Sequence, residues 1–221
     1  MNKMKKIIAI GMAALMVISA FAGCKKDTPA DQYVLAMYKF IVNGDSKDAK
    51  AIGVSDTVIA DFQRQKDQAV KTGTATINDS FQQQCGTSVD DQLISDYYKA
   101  YFNALAKLNA TVKIESSTDK EAKVTLTSNY LDMATMTAQA MENAQAAVKA
   151  ADYSADKDYK KDVLTEYVKE LTKLVNDFIP SKETQSTTVT CVKNNNTWSC
   201  SDETTFAQAI TGIAVKEQAA Q

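Results

Sequence analysis

The chain has 221 residues, 45% of them apolar, with 25 basic and 27 acidic side chains and no histidine. The missing histidine excludes Ser-His-Asp and Cys-His nucleophile arrangements, histidine general bases and histidine-ligated zinc sites together. With Arg64 the only arginine and the charges nearly balanced, there is no basic stripe for a nucleic acid and little from which to build bidentate phosphate clamps.

The first six residues carry Lys3, Lys5 and Lys6, and an uncharged apolar run from Ile7 to Phe21 follows. This is the layout of an export leader. As a helix the run would rise roughly 22 Å, short of the ~30 Å hydrocarbon core that a spanning helix must cross. The run ends in Ala20-Phe21-Ala22-Gly23-Cys24, which resembles the bacterial lipobox, with phenylalanine where leucine is usual three residues before the cysteine. The resemblance implies that Cys24 receives a diacylglyceryl group and becomes the mature N-terminus, so that the protein's membrane partner is the outer face of the bacterial cell membrane. Two acyl chains hold a protein stably where one does not, each buried methylene contributing ~0.8 kcal/mol. Lys25 and Lys26 would then sit at the headgroups or begin a solvated linker. Removal of residues 1–23 takes away three lysines, leaving 198 residues with 22 basic against 27 acidic side chains, a net charge of −5.

Residues 24–28 are expected to form a lipid-proximal tether to one domain over 29–212. Its first part, 29–109, reads as helical. Thr28-Pro29-Ala30-Asp31 is a helix start, and Val34, Leu35, Tyr38, Ile41 and Val42 recur at helical spacing before Asn43-Gly44 stops them. A short turn of helix over Ser46 to Ile52 precedes a helix capped by Ser55, with Val58, Ile59, Phe62, Ala69 and Val70 near one side. The stretch Thr72 to Gly86 is polar and poorly patterned. Ser88 and Asp91 then form a capping-box pair ahead of a helix to about Leu108, whose stripe is Val89, Leu93, Tyr97, Tyr101, Leu105 and Leu108, widened by Tyr98 and Phe102. The bland account of this aromatic cluster is core packing, the sharper one a ligand-stacking box.

The period changes from 3.6 to 2 over 110–131, a hairpin with Val112 and Ile114 on one face of its first strand and Val124 and Leu126 on one face of its second. A helical pair follows over 132–180. Met133, Met136 and Met141 in its first helix either fill the core or line an adaptable groove. The second helix, from about Asp156 to Ile179, carries Tyr159, Val163, Tyr167, Leu171, Leu174 and Phe178, and Pro180 ends it. A second hairpin covers 184–201. A two-residue turn at Asn195-Asn196 pairs Cys191 with Cys200 at a non-hydrogen-bonded position, where α-carbons lie about 4.5 Å apart, within the range of a disulfide. A short helix over 203–211 and a frayed tail over 213–221 complete the order.

An exported chain meets a space in which Cys191 and Cys200 should bridge. Cys85 is then left as a bystander or a reactive thiol, and its pairing with one of the other two competes with the hairpin bridge. Asp152, Asp156, Asp158 and Asp162 invite a calcium site, but they lack the glycine and terminal glutamate of an EF-hand loop, and acids at a helix start are stabilised by its dipole in any case. Asp90 and Asp91 take the same explanation. Neither a metal nor a cofactor is expected, and no catalytic residue stands out.

The fold class expected is α+β: helices on a small antiparallel sheet of four strands built from two hairpins, with a helical-pair insertion. Cys24, the segment Tyr38 to Ser55 and the hairpin leading into Phe206-Ala207-Gln208-Ala209-Ile210-Thr211-Gly212 resemble a family of uncharacterised Gram-positive surface lipoproteins. That resemblance covers most of the mature chain and implies a fold of nuclear-transport-factor or cystatin type, with no family activity to transfer. The leading functional expectation is a non-enzymatic, membrane-tethered module that binds a protein or small molecule. The alternatives are a substrate-binding accessory of an importer and an enzyme in a cone-shaped sheet, which would need an acid–base pair in its cavity.

Overall fold

A computed structural model describes residues 28–150 and 158–217. It is an α+β fold, with seven α-helices and a four-stranded antiparallel sheet among these residues. Helix α1 (Ala30–Tyr38) runs directly into a π-helical turn over Lys39–Asn43, and α2 (Ser46–Ala51) follows. The long helix α3 (Asp56–Cys85) packs on α4 (Asp91–Leu105). Strands β1 (Ala110–Ser117) and β2 (Glu121–Asn129) form the first hairpin, and the two-residue strand β3 (Leu131–Asp132) leads into α5 (Met133–Ala150). Helix α6 (Tyr159–Asn176) packs on both α5 and α4. The second hairpin is β4 (Thr184–Asn194) and β5 (Thr197–Cys200), and α7 (Glu203–Gly212) and the short strand β6 (Val215–Lys216) follow it.

The sheet order is β1-β2-β4-β5, so the two hairpins join through their long inner strands. Period-two burial decides which side faces the helices. Ala122, Val124, Leu126 and Ser128 of β2 and Val189 and Cys191 of β4 point inward beneath α1 and α7. The outer face is hydroxyl-rich, with Thr125 bonded to Thr188 and Thr127 to Ser186 across the strands. The Asn195-Asn196 turn has φ values of 50° and 64°, the left-handed pair that a type I′ hairpin requires and that asparagine tolerates. Its register is the one expected: Asn194 opposite Thr197, Lys193 opposite Trp198 and Cys191 opposite Cys200. Ser201 N–H donates to the Thr190 carbonyl at 3.3 Å, which leaves Cys191 and Cys200 as the non-hydrogen-bonded pair. The outward amide of Cys200 donates instead to Tyr33 Oη at 3.2 Å.

Several sequence expectations are corrected. The polar, poorly patterned residues from Thr72 onward are the second half of one helix: α3 continues to Cys85, because Ile77 and Phe81 repeat at i, i+4 and keep a narrow buried stripe that the surrounding polar residues conceal. The helix stops where Gly86 takes φ 76°. Helix α1 begins at Ala30 with Pro29 in the capping position, and α4 ends at Leu105 rather than Leu108. Tyr159 is exposed, and the buried face of α6 is Val163, Leu164, Tyr167, Val168, Leu171 and Val175. The segment after Gly212 is not frayed up to Glu217. Ile213 and Ala214 are buried, and β6 pairs in parallel with β3, reinforced by Lys216 Nζ to Asp132 Oδ2 at 3.0 Å.

Two asparagines fix how α3, α4 and the π turn meet. Asn78 Nδ2 donates to the Val89 carbonyl at 2.9 Å while its Oδ1 accepts from Val89 N–H at 3.0 Å, closing the α3–α4 connection. Asn43, at the end of the π turn, donates to the Leu105 and Leu108 carbonyls at 2.8 and 3.0 Å, tying the π turn to the chain as it leaves α4.

Candidate functional site

Where the π turn, α3, α4, α7 and the segment leading into β6 converge they leave a half-open cavity of about 480 Å³. Most of its wall is apolar. Ile41 and Val42 come from the π turn, Phe62 from α3, Tyr101, Phe102 and Leu105 from α4, and Ala214 and Val215 from the segment after α7. The π turn holds one extra residue, with Gly44 N–H donating to the Lys39 carbonyl, and Phe40, Ile41 and Val42 within it are all buried.

Three titratable groups reach the cavity. Lys66 is half-buried, its Nζ 4.2 Å from the centre of the Phe102 ring, and burial lowers its pKa with the neighbouring Asp67 charge acting in the opposite sense. Glu217 is exposed, and partial desolvation raises its carboxyl pKa. Tyr101 is buried, and desolvation, then Glu217 and Tyr98, push its phenol far above the ordinary tyrosine range. No ion pair or hydrogen bond joins Lys66 to Glu217. The arrangement can enclose a largely apolar molecule and meet a charge at one place on it.

Next to Tyr101 of this wall, Tyr97, Tyr98 and Tyr167 are buried, with the Tyr97 ring in contact with those of Tyr98 and Tyr101. Burial raises the Tyr98 phenol to about 12. The hydroxyls of Tyr97, Tyr98 and Tyr167 have no hydrogen-bond partner among the described residues. Removing an unpaired buried hydroxyl deletes a desolvation cost without deleting a bond. Tyr167→Phe is therefore expected to leave stability unchanged or raise it by about 1 kcal/mol in urea denaturation, and a loss above that size would show that the hydroxyl has a partner.

Cys24 and the preceding leader lie outside the described residues, as do Asp152 and Asp156. Cys191 and Cys200 face each other across β4 and β5, and the structure carries both as thiols, not as a bridge. Burial raises the Cys200 thiol pKa, with the bond to Tyr33 acting the other way. Cys85 is part-buried at the end of α3, where its carbonyl accepts from Lys160 at the start of α6. Asp158 accepts from the amides of Lys160 and Lys161 and so caps α6. Among the described residues no group of three potential metal ligands converges, and no helix is long and apolar enough to cross a membrane. The aromatic residues of α4 divide: Tyr97 and Tyr98 are core, whereas Tyr101 and Phe102 line the cavity. Sequence reasoning did not single out Lys66, although it sits in the gap of the α3 stripe, four residues after Phe62 and four before Val70.

No family model matches the chain, and no curated protein matches it. A solved structure of a candidate lipoprotein of Bacillus subtilis, YcdA, is similar in fold, with a TM-score of 0.57 and 15% identity. The likeness covers 85% of this chain and 56% of that one, so this chain spans little more than half the length of its neighbour.

Proposed function

We propose that this protein is a lipid-anchored, extracytoplasmic and non-catalytic binding module, fastened through a diacylglyceryl group on Cys24, that takes a small and mainly apolar ligand into the cavity. The observation that carries the binding role is the cavity itself: about 480 Å³, within the size range of ligand pockets, walled by apolar side chains from four separate segments. The anchoring role is supported by the Ala20 to Cys24 pattern after an apolar leader and by the fold shared with a candidate bacterial lipoprotein. From Cys24 to Pro29 the chain reaches at most about 18 Å, so the folded body would stay close to the bilayer.

The bridge between Cys191 and Cys200 belongs to the same proposal. Their opposed, non-hydrogen-bonded positions on neighbouring strands suit a disulfide once the chain is exported, and Cys85 sits against α6 instead of the hairpin.

Replacement of the anchoring sulfur tests the whole scheme. In the bacterial host, wild-type protein is expected in the membrane fraction carrying labelled acyl chains, and Cys24→Ser is expected to lose the label entirely and keep its leader. Equal acyl labelling of the two would overturn the anchoring role.

A further inference from the structure

Lys66 is the one cationic side chain among the residues lining the cavity. Its ammonium lies against the Phe102 ring, and no ion pair or hydrogen bond holds it among the described residues. This sets it apart from Lys39, which is also partly covered and makes a 2.6 Å ion pair with Asp48. The adjacent Asp67 makes no ion pair with it: Asp67 Oδ1 accepts instead from Gln63 Nε2 at 3.0 Å on the exposed side of α3. A half-buried ammonium with no protein acceptor pays for lost hydration, and the face of the Phe102 ring and the charge of Asp67 compensate it without a hydrogen bond.

Resting on the binding role proposed above, we infer that the cavity takes an apolar molecule carrying one negative charge, a free long-chain or aromatic carboxylate, with Lys66 as its counter-ion. The carboxylate restores the charge-assisted hydrogen bonds that Lys66 lacks. The apolar body lies against Ile41, Val42, Phe62 and Leu105. Glu217 also lines the cavity, and its negative charge disfavours an acid group beside it, which leaves Lys66 as the place where an anionic end is met. The lowering of the Lys66 pKa by burial is the counterpart of this site, since an anion beside the ammonium favours its charged form.

Two matched pairs of probes test the charge separately from the apolar fit: decanoate with decan-1-ol, and 1-naphthoate with 1-naphthalenemethanol. Their binding is measured by equilibrium dialysis of the lipidated protein in phosphatidylcholine nanodiscs, with empty nanodiscs as the blank. In at least one pair the acid is expected to bind about tenfold more tightly than its alcohol, the scale of one charged hydrogen bond. Lys66→Met is expected to bring the acid down to the level of the alcohol, and Lys66→Arg to keep the preference. Displacement of the bound acid when phosphatidylglycerol replaces phosphatidylcholine would overturn the free acid as occupant in favour of an anionic lipid. Equal binding of acid and alcohol in both pairs, or a preference that survives Lys66→Met, would overturn the inference while leaving the binding role standing. If all four compounds fail to bind, the binding role falls and this inference with it.

Discussion

Gly73→Ala is expected to lower the unfolding free energy by about 1–3 kcal/mol, the usual range for overpacking a filled core. The sign is the opposite of the ordinary rule, by which alanine in a helix interior improves on glycine by ~0.8–1 kcal/mol. Gly73 lies in the middle of α3, where that gain would normally apply. Its missing Cβ is instead the space into which Tyr98 of α4 projects. A methyl group there would overlap the Tyr98 hydroxyl and come within 2.6 Å of Cζ and 3.0 Å of Cε2. The ring is 1% exposed and has nowhere to swing, so either it or the helix must move. Tyr98→Phe alone removes a hydroxyl that has no partner among the described residues and is expected to be nearly neutral. Combined with Gly73→Ala it should recover part of the loss, because the nearest overlap disappears while the crowding at Cζ persists. Urea denaturation of the two single variants and the double variant checks this, and a Gly73→Ala protein as stable as the wild type would show that α3 and α4 are not locked at this contact.

The second large effect concerns the terminal hairpin. With Cys191 and Cys200 bridged, the bond closes a ten-residue loop, which the chain-entropy relation values at roughly 2.7 kcal/mol. For a chain of this length each kcal/mol moves the melting temperature by about 2–4 °C, so a reducing agent alone should lower it by about 5–11 °C. Both sulfurs are buried, and burial holds the Cys200 thiol above its usual pKa, which slows exchange in the folded state. Reduction must therefore be run to completion in denaturant before refolding. The Cys191→Ala, Cys200→Ala double variant should melt at the reduced temperature and ignore the reductant. An oxidised wild type that melts at the same temperature with and without reductant would exclude the bridge.

The parts of the fold that were legible in the sequence share a cause: a strong local signal that agrees with the tertiary answer. Asn195-Asn196 dictates a hairpin turn, the turn dictates the register, and the register brings Cys191 opposite Cys200. The α5–α6 pair and the alternation in β2 are equally local. The C-terminal half of α3 was hidden because a helix that buries only a narrow stripe is mostly polar, and Ile77 and Phe81 are too few to advertise a period. The cavity was hidden for a different reason. Its walls come from residues as far apart as Ile41 and Val215, and the π turn that supplies Ile41 and Val42 to it shows in the sequence only as three successive apolar residues. Lys66 was visible as a charge interrupting an apolar stripe, but a lone lysine there equally fits one that snorkels to solvent.

The wall supplied by Ala214 and Val215 has an implication for when the protein can be loaded. A polypeptide threaded through a translocation channel emerges from its N-terminal side first, so the π turn would reach the far side of the membrane well before β6 does. Until the strand formed by Val215 and Lys216 docks on Leu131 and Asp132, one side of the chamber is missing. On the proposed binding role and export, a ligand would thus be acquired only after the whole chain has crossed the membrane, and none would be carried out from the cytoplasm.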